Sequence, residues 1–524
     1  MGFFTMVSRS TLVICLLWPC LSLAQSNESK NLQELINDTR TLRSLVQSDP
    51  HRPIYHFVAP EGHEFPFDPN GAIYWRGKYH LGYLHQKEPT KYVWGHAVST
   101  DLLHWTLYPN MIDVGVGDTE HSIFSGGAFL SKEGVPHVIY HEWGASANLI
   151  AYAMDEDLRV WKKSEADTAL RLDHPDESSA PFTVLDPDAW YDEAVDAYYQ
   201  ISGGKKPALF KSKDMRKWSY LGDLIDKKNT MRNADEDLSC PDYFSLGNDK
   251  FMLLFISHNW GAQYYIGTFS NDKFSVEQHA RMNWPGGSFF APEQLQDDKG
   301  RNIIWGWVWE HKPPHVPDYG WSGIMSLPRV VSLGDDGKLR IDPVDEIKAI
   351  RTLEVREKDI ELAPGSERLL TTQGRSIELQ LEISGAERSS VGVKVFASPD
   401  GREETTISFD PVSRELVVNF SKSSVRGPVT IPASIWPPDA GIVGYPRRVF
   451  EQRAPLKIDK GEPLKLNIFL DRSVIEVFAN GVQCITQVVY PELEASTRVK
   501  VFSGDEAVTV RNIQSWTMAE TNPH

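Results

Sequence analysis

Residues 99–105 read STDLLHW, and the tryptophan that closes them returns at a fixed distance. MDEDLRVW ends on Trp161 and SKDMRKW on Trp218, so these tryptophans stand 56 and 57 residues apart. A fainter copy, SNDKFSV, sets Asp272 58 residues after Asp214, which itself follows Asp157 by 57. GDDGKLRI (334–341) closes a fifth, less regular unit. Between the markers run short alternating segments such as GAIYWRGKYHLGYLH, VPHVIYHEW, AYYQISGG, KFMLLFISH and RNIIWGWVW. They read as strands cut by Gly, Asn and Asp turns, with little helical periodicity. About four strands per unit at this period predict a β-propeller of five blades. A stacked sandwich would leave the spacing unexplained.

The repeat gives meaning to HEFPFDPNGAIYWRGKYHLGYLHQ (63–86). Alone, its Asp-Pro-Asn-Gly is a set of turn residues, each favoured for its own backbone reason. In the repeat, however, Asp68 precedes Trp105 by 37 residues, and Phe124 of FSG precedes Trp161 by the same 37. Asp186 of TVLDPDAWYD lies 32 before Trp218, while LSCPDYF (238–244) and FFAPEQLQD (289–297) fall near this phase in units four and five. The first strand of each blade lines a propeller's axis, so these residues are expected to meet in one funnel. Two carboxylates delivered there predict acid–base or nucleophilic chemistry on a sugar.

Composition agrees with a folded, sugar-handling chain. Of 524 residues 41% are hydrophobic and 11% aromatic, and the net charge of -17 disfavours nucleic acid or an anionic membrane as partner. The run TLVICLLWPCLSLA (11–24) follows Arg9 and ends in a small-x-small site. It reads as a signal peptide, residues 1–24, cut after Ala24, which predicts a secreted or periplasmic protein with no membrane span once the signal is removed. Only Cys240 and Cys484 would remain, too few for a disulfide framework. Nothing resembles a zinc or calcium loop or a phosphate-binding glycine turn, so neither metal nor cofactor is expected. The predicted organisation is a polar segment with a short helix at 25–50, a propeller at 51–340 and a helical linker at 341–360. An all-β sandwich is expected at 361–518, where SIELQLEIS, VGVKVFAS and VIEVFANG alternate.

Several motifs together resemble the β-fructosidases of glycoside hydrolase family 32, the invertases, inulinases and levanases. FDPNG with YHLGYLH looks like the family's nucleophile motif, SIFSGGAF like its Phe-Ser-Gly motif, and LDPDAW like its Arg-Asp-Pro motif. SCPDYF resembles the Glu-Cys-Pro motif, and LNIFLDRSVIEVFANG (466–481) the C-terminal sandwich signature. The resemblance implies a five-bladed propeller followed by a β-sandwich, and a retaining mechanism. In it Asp68 attacks the anomeric carbon of a fructosyl unit and Asp186 stabilises the transition state. The candidate sugar contacts beside these two carboxylates are Asn70, Trp94, Phe124, Ser125, Ser239 and Asp242.

Three departures bear on the chemistry. Ser239 stands where the family carries its acid/base Glu, Leu185 where it carries the Arg of Arg-Asp-Pro, and Leu84 where a Gln follows the first-blade Tyr. A serine hydroxyl holds its proton far too tightly to assist a leaving group near neutral pH. Glu293 is the first candidate for a relocated acid, from the fifth inner strand; Glu236, Asp237 and Glu142 are others. The tryptophans of HEWG (141–144) and HNWG (258–261) read either as core or as sugar platforms. DRSVIEVF reads as a charged strand edge beside a buried face, or as acids reaching toward the funnel. Three functions stay open: a β-fructofuranosidase, which is the leading reading, a hydrolase of another furanoside by either stereochemical course, and a propeller that binds carbohydrate without turnover.

Overall fold

The computed structural model describes residues 32–61, 63–115, 120–144, 146–164, 170–171, 180–225, 236–435 and 446–522. The expected signal segment lies outside them. Residues 1–48 form one unit, whose described part is a helix at Leu32–Gln47, inside the segment expected to hold one. Residues 49–524 form the other.

Hairpin chemistry explains why the repeats become strands. Arg76-Gly77, Asn248-Asp249 and Asn271-Asp272 all take positive φ between paired strands. That is the two-residue turn whose twist matches a hairpin. The marker motif itself is a turn held by its aspartate. Asp101 Oδ1 accepts the N–H groups of Leu103 and His104, and Asp214 Oδ1 those of Arg216 and Lys217. In the second unit this task falls to Asp155, which accepts from Arg159 and Val160. The following tryptophan opens the outermost strand, at Trp105–Ile112 and Trp161–Lys163. Trp105 is wedged against Phe57 and Trp305, with ring centroids 5.6 and 6.2 Å away, and so packs the first blade on the fifth.

Five successive antiparallel sheets result. Their inner strands are Glu64–Trp75, Ala128–Leu130, Pro187–Asp192, Ser239–Gly247 and Phe289–Gln296. Each touches the next, and the fifth touches the first, so the ring closes. This is a five-bladed propeller. Beyond it lie two sheets of seven and six strands, packed around a core that includes Leu379, Val393, Ile407, Ile468 and Val501. The expected helical linker is mostly not helical. Only Asp345–Ile350 forms a 3-10 turn, anchored by buried Ile347 and Ile350, and Arg351–Arg356 already pairs as a strand of the sandwich.

DRSVIEVF is neither an exposed edge nor an arm of the funnel. Asp471, fully buried, accepts the N–H groups of Ile54, Tyr55 and His56 at 2.8, 2.9 and 2.9 Å. Asn522 holds the same segment through Pro53 O, His56 O and the Val58 N–H. Glu476, also fully buried, meets Arg329 of the fifth blade at 2.9 Å. The motif's acids clasp the propeller to the sandwich.

Candidate active site

The inner strands do not run straight through the funnel. Asp68 has φ +29°, Cys240 +45° and Ala291 +41°, and the pairing register slips beside each of them. Side chains forced into the left-handed region cost on the order of 1–3 kcal/mol apiece and persist where the surroundings over-determine them. Here the kink turns Asp68 toward the axis. Ser125 Oγ donates to its Oδ2 at 3.3 Å. The Cys240 sulfur lies 3.9 Å from Asp68 Oδ2 and 3.8 Å from Asp186 Oδ2, so one thiol sits between the two carboxylates. The Cys240 N–H donates to Asp186 Oδ2 at 3.2 Å. Burial, and then the charge of Asp186, push Asp68 up to about 7. Burial beside both acids raises the thiol well above its ordinary value, so it stays protonated.

These groups line a cavity of about 1690 Å³. Asp68, Phe124, Ser125, Leu185, Asp186, Cys240 and His258 line its propeller side, with Trp143, Trp307 and Trp309. The sandwich adds Ser424, Arg426, Arg448 and Tyr490. Trp143 is exposed and stands near Phe124, with centroids 5.8 Å apart. Trp260, its counterpart in the other repeated motif, is not in this lining.

Asn70 and Trp94 hold the floor from behind and do not reach the cavity. Asn70 donates to Asp68 O at 2.6 Å and accepts from the Gly126 N–H at 3.0 Å, tying blade one to blade two. Trp94 is fully buried, its indole N–H on Phe124 O at 3.0 Å. Gly126 has no room for a side chain, because a Cβ would come to 2.0 Å from the Ile139 carbonyl oxygen. Gly126→Ala is therefore expected to prise the two strands apart and cost about 1–3 kcal/mol. A denaturant midpoint unchanged from the wild type would refute this.

Glu293 also stays out of the cavity. Its Oε1 accepts the Ala72 N–H at 2.7 Å, and burial with the charge of Asp242 keeps its proton on. Asp242 and Asp188 share that buried layer, and both are raised chiefly by burial. Asp188 Oδ2 accepts the Tyr243 N–H at 2.8 Å. Glu142 accepts the His121 and Gly144 N–H groups, and Glu236 bonds the Gln263 amide. None of these acids lines the cavity.

The departures separate in space. Leu185 faces the cavity, whereas Leu84 is fully buried against Trp94 in the apolar core. Ser239 is buried and donates to Asp237 Oδ2 at 2.9 Å. Asp237 also accepts the backbone N–H of His258 at 2.9 Å and its ring Nδ1 at 2.5 Å. His258 and Cys240 were not singled out for chemistry from the sequence. The motifs HNWG and SCPDYF carried them, the first noted there for its tryptophan.

Fold and site together place the chain among the propeller glycoside hydrolases. The family model for the glycosyl hydrolases family 32 N-terminal domain matches residues 56–343, and that for the family's C-terminal domain matches 346–517. The chain belongs to glycosyl hydrolase family 32. A levanase of Bacillus subtilis is 27% identical over 90% of this chain and 71% of its own length. A β-fructofuranosidase, insoluble isoenzyme 4, of Oryza sativa is 26% identical over 91% and 90%. Among solved structures, fructan 1-exohydrolase IIa of Cichorium intybus superposes with a TM-score of 0.74 at 22% identity, covering 90% of this chain and 98% of that one. An exo-inulinase of Aspergillus awamori gives 0.72 at 20%, covering 90% and 99%. They share the fold.

Proposed function

We propose that this glycoside hydrolase cleaves β-fructofuranosides of the sucrose, inulin or levan type. Asp68 is the nucleophile and Asp186 the carboxylate that stabilises charge on the fructosyl ring. One observation carries the reading: both carboxylates reach the same cavity wall, either side of the Cys240 thiol, from strands that begin over a hundred residues apart. The names of the relatives support the substrate class, since a levanase and a fructan 1-exohydrolase are among them. Leu185 puts an apolar group on that wall, which favours a ligand making fewer polar contacts there than the family's usual sugar.

The test is incubation with sucrose, inulin, levan and aryl furanosides, with products resolved by chromatography. Release of fructose is the expected result. Release of another furanose would move the substrate class, and sugar binding without any product would make the protein a lectin. The proposal includes export, on the strength of residues 11–24. A mature N-terminus at Gln25 is the corresponding observation.

A further inference from the structure

We propose that His258, oriented by Asp237, is the proton donor that takes over from the glutamate absent at position 239. The proposal rests on the β-fructofuranosidase reading above. Ser239 and Ile256 pair across neighbouring strands, and His258 follows that second strand at its mouth. Its ring can therefore serve the space that a longer side chain at 239 would enter. Nδ1 is taken by Asp237 Oδ2, which leaves Nε2 as the nitrogen for the cavity that His258 lines. Asp237 is itself fixed by Ser239 Oγ, Ser257 Oγ and the His258 N–H, so the ring has one orientation. Ser239 thus reads as a support of the dyad.

The surroundings favour a charged ring. Asp237 precedes the fourth inner strand, Asp68 comes from blade one and Asp186 from blade three; Cys240 lies beside them as a neutral thiol, and Phe290 of blade five presents an uncharged face. Burial alone would strip the proton from His258. The Asp237 hydrogen bond and charge, with those of Asp186 and Asp68, outweigh it and hold the ring above its ordinary value. Asp237 is in turn kept ionised, because the His258 bonds more than offset its burial. Glu310 is the rival acid in the lining, pushed up to about 7 by burial. The charges acting most strongly on it are those of Lys312, Asp318 and Asp49, and its carboxylate accepts the Gly323 N–H at 3.1 Å.

In the first step an Asp68 carboxylate oxygen bonds to the anomeric carbon as the bond to the leaving oxygen breaks. That oxygen keeps the electron pair and receives the Nε2 proton, leaving neutral imidazole. In the second step Nε2 takes a proton from water, whose oxygen bonds to the anomeric carbon while the ester to Asp68 breaks. Fructose leaves, and imidazolium and carboxylate return.

The experiment compares wild type with His258→Gln on sucrose, inulin and 4-nitrophenyl β-fructofuranoside. Turnover of sucrose and inulin should fall roughly 10²–10⁴-fold, the usual worth of a positioned proton donor. First-step release of nitrophenol, whose leaving group needs little protonation, should fall far less. Equal losses on both classes, or no loss, would overturn the proposal. Should His258→Gln fail to fold, the wild-type pH profile decides. An alkaline limb for inulin that is absent from the nitrophenol burst supports the donor, and identical profiles overturn it. If the wild type cleaves no furanoside, the β-fructofuranosidase reading fails and takes this one with it. Wild-type turnover with an unaffected His258→Gln leaves that reading intact and removes only the histidine.

Discussion

Asp68→Asn is expected to abolish turnover of every furanoside while making the folded protein more stable at neutral pH. The loss of activity follows from the proposed role: an amide cannot form the ester, and among the described residues Asp186 is the carboxylate that shares the Cys240 thiol with Asp68. The gain in stability follows from where the carboxyl is held. Its proton is retained up to about 7 in the folded chain, because burial and Asp186 disfavour the charge, against an ordinary value of 3.8. The folded state therefore binds that proton more tightly than the unfolded chain does. The advantage is complete below the unfolded value and drains away as pH climbs to 7, at roughly 1.4 kcal/mol per unit. Above that the ionised side chain costs the native state on the order of 4 kcal/mol, which a neutral isostere avoids. Wild type and variant should thus have similar denaturant midpoints near pH 4 and diverge by pH 8, the variant ahead. A variant that still turns over, or one that loses stability at pH 8, would remove Asp68 from the nucleophile's place and return it to the role of a turn residue.

Glu476→Gln should be the most damaging single change in the clasp between propeller and sandwich, at about 3–5 kcal/mol. Arg329 and Glu476 are both completely buried, and Thr486 bridges them by accepting from the one and donating to the other. The guanidinium stands over the Phe289 ring at 4.2 Å. Neutralising the acid leaves a fully buried cation without its counter-charge, and Nε and Nη1 of Arg329 have no hydrogen-bond partner among the described residues to offset the loss. Replacing both groups, as Arg329→Met with Glu476→Leu, should recover most of the loss, because two well-packed apolar groups owe no desolvation. The readout is the denaturant midpoint of the three proteins. A single variant as stable as the wild type would show that the pair contributes nothing to the clasp. The effect should also reach the cavity, because Phe290, the neighbour of Phe289, lines it.

Much of this architecture could be read from spacing because each blade repeats a turn with a chemical reason to exist. Asp101, Asp155 and Asp214 each gather backbone N–H groups just before a strand, and such a turn leaves a mark that pattern reading finds. The phase of the inner strands followed, and with it the convergence of Asp68, Phe124, Ser125 and Asp186. Direction did not follow. Alternation assigns faces only while the ladder is regular, and the slips beside Asp68, Cys240 and Ala291 reset the count. Glu293 and Asp242 lie beyond such slips and turn into the buried acid layer. His258 escaped for a different reason: it enters from the end of a second strand, which no inner-strand argument samples. The sandwich's share of the cavity was equally illegible, as Tyr490 and Arg448 reach the cavity only through the docking of two domains.

The grip of Asp471 and Asn522 on residues 53–58 has a consequence for the order in which the molecule is made. The segment leading into the Asp68 strand emerges early in synthesis, but its hydrogen-bonding partners Asp471 and Asn522 follow 417 and 466 residues later. Contacts so distant in sequence carry the highest closure entropy and form late. Blades can assemble on the ribosome one after another, yet the first is not locked until Asp471 and Asn522 arrive. A polypeptide that stopped before Asn522 would carry Asp68, Asp186, Cys240 and His258 and lack one of the two grips on the segment that leads into the Asp68 strand. Arrival of the sandwich thereby acts as a late step in building the cavity.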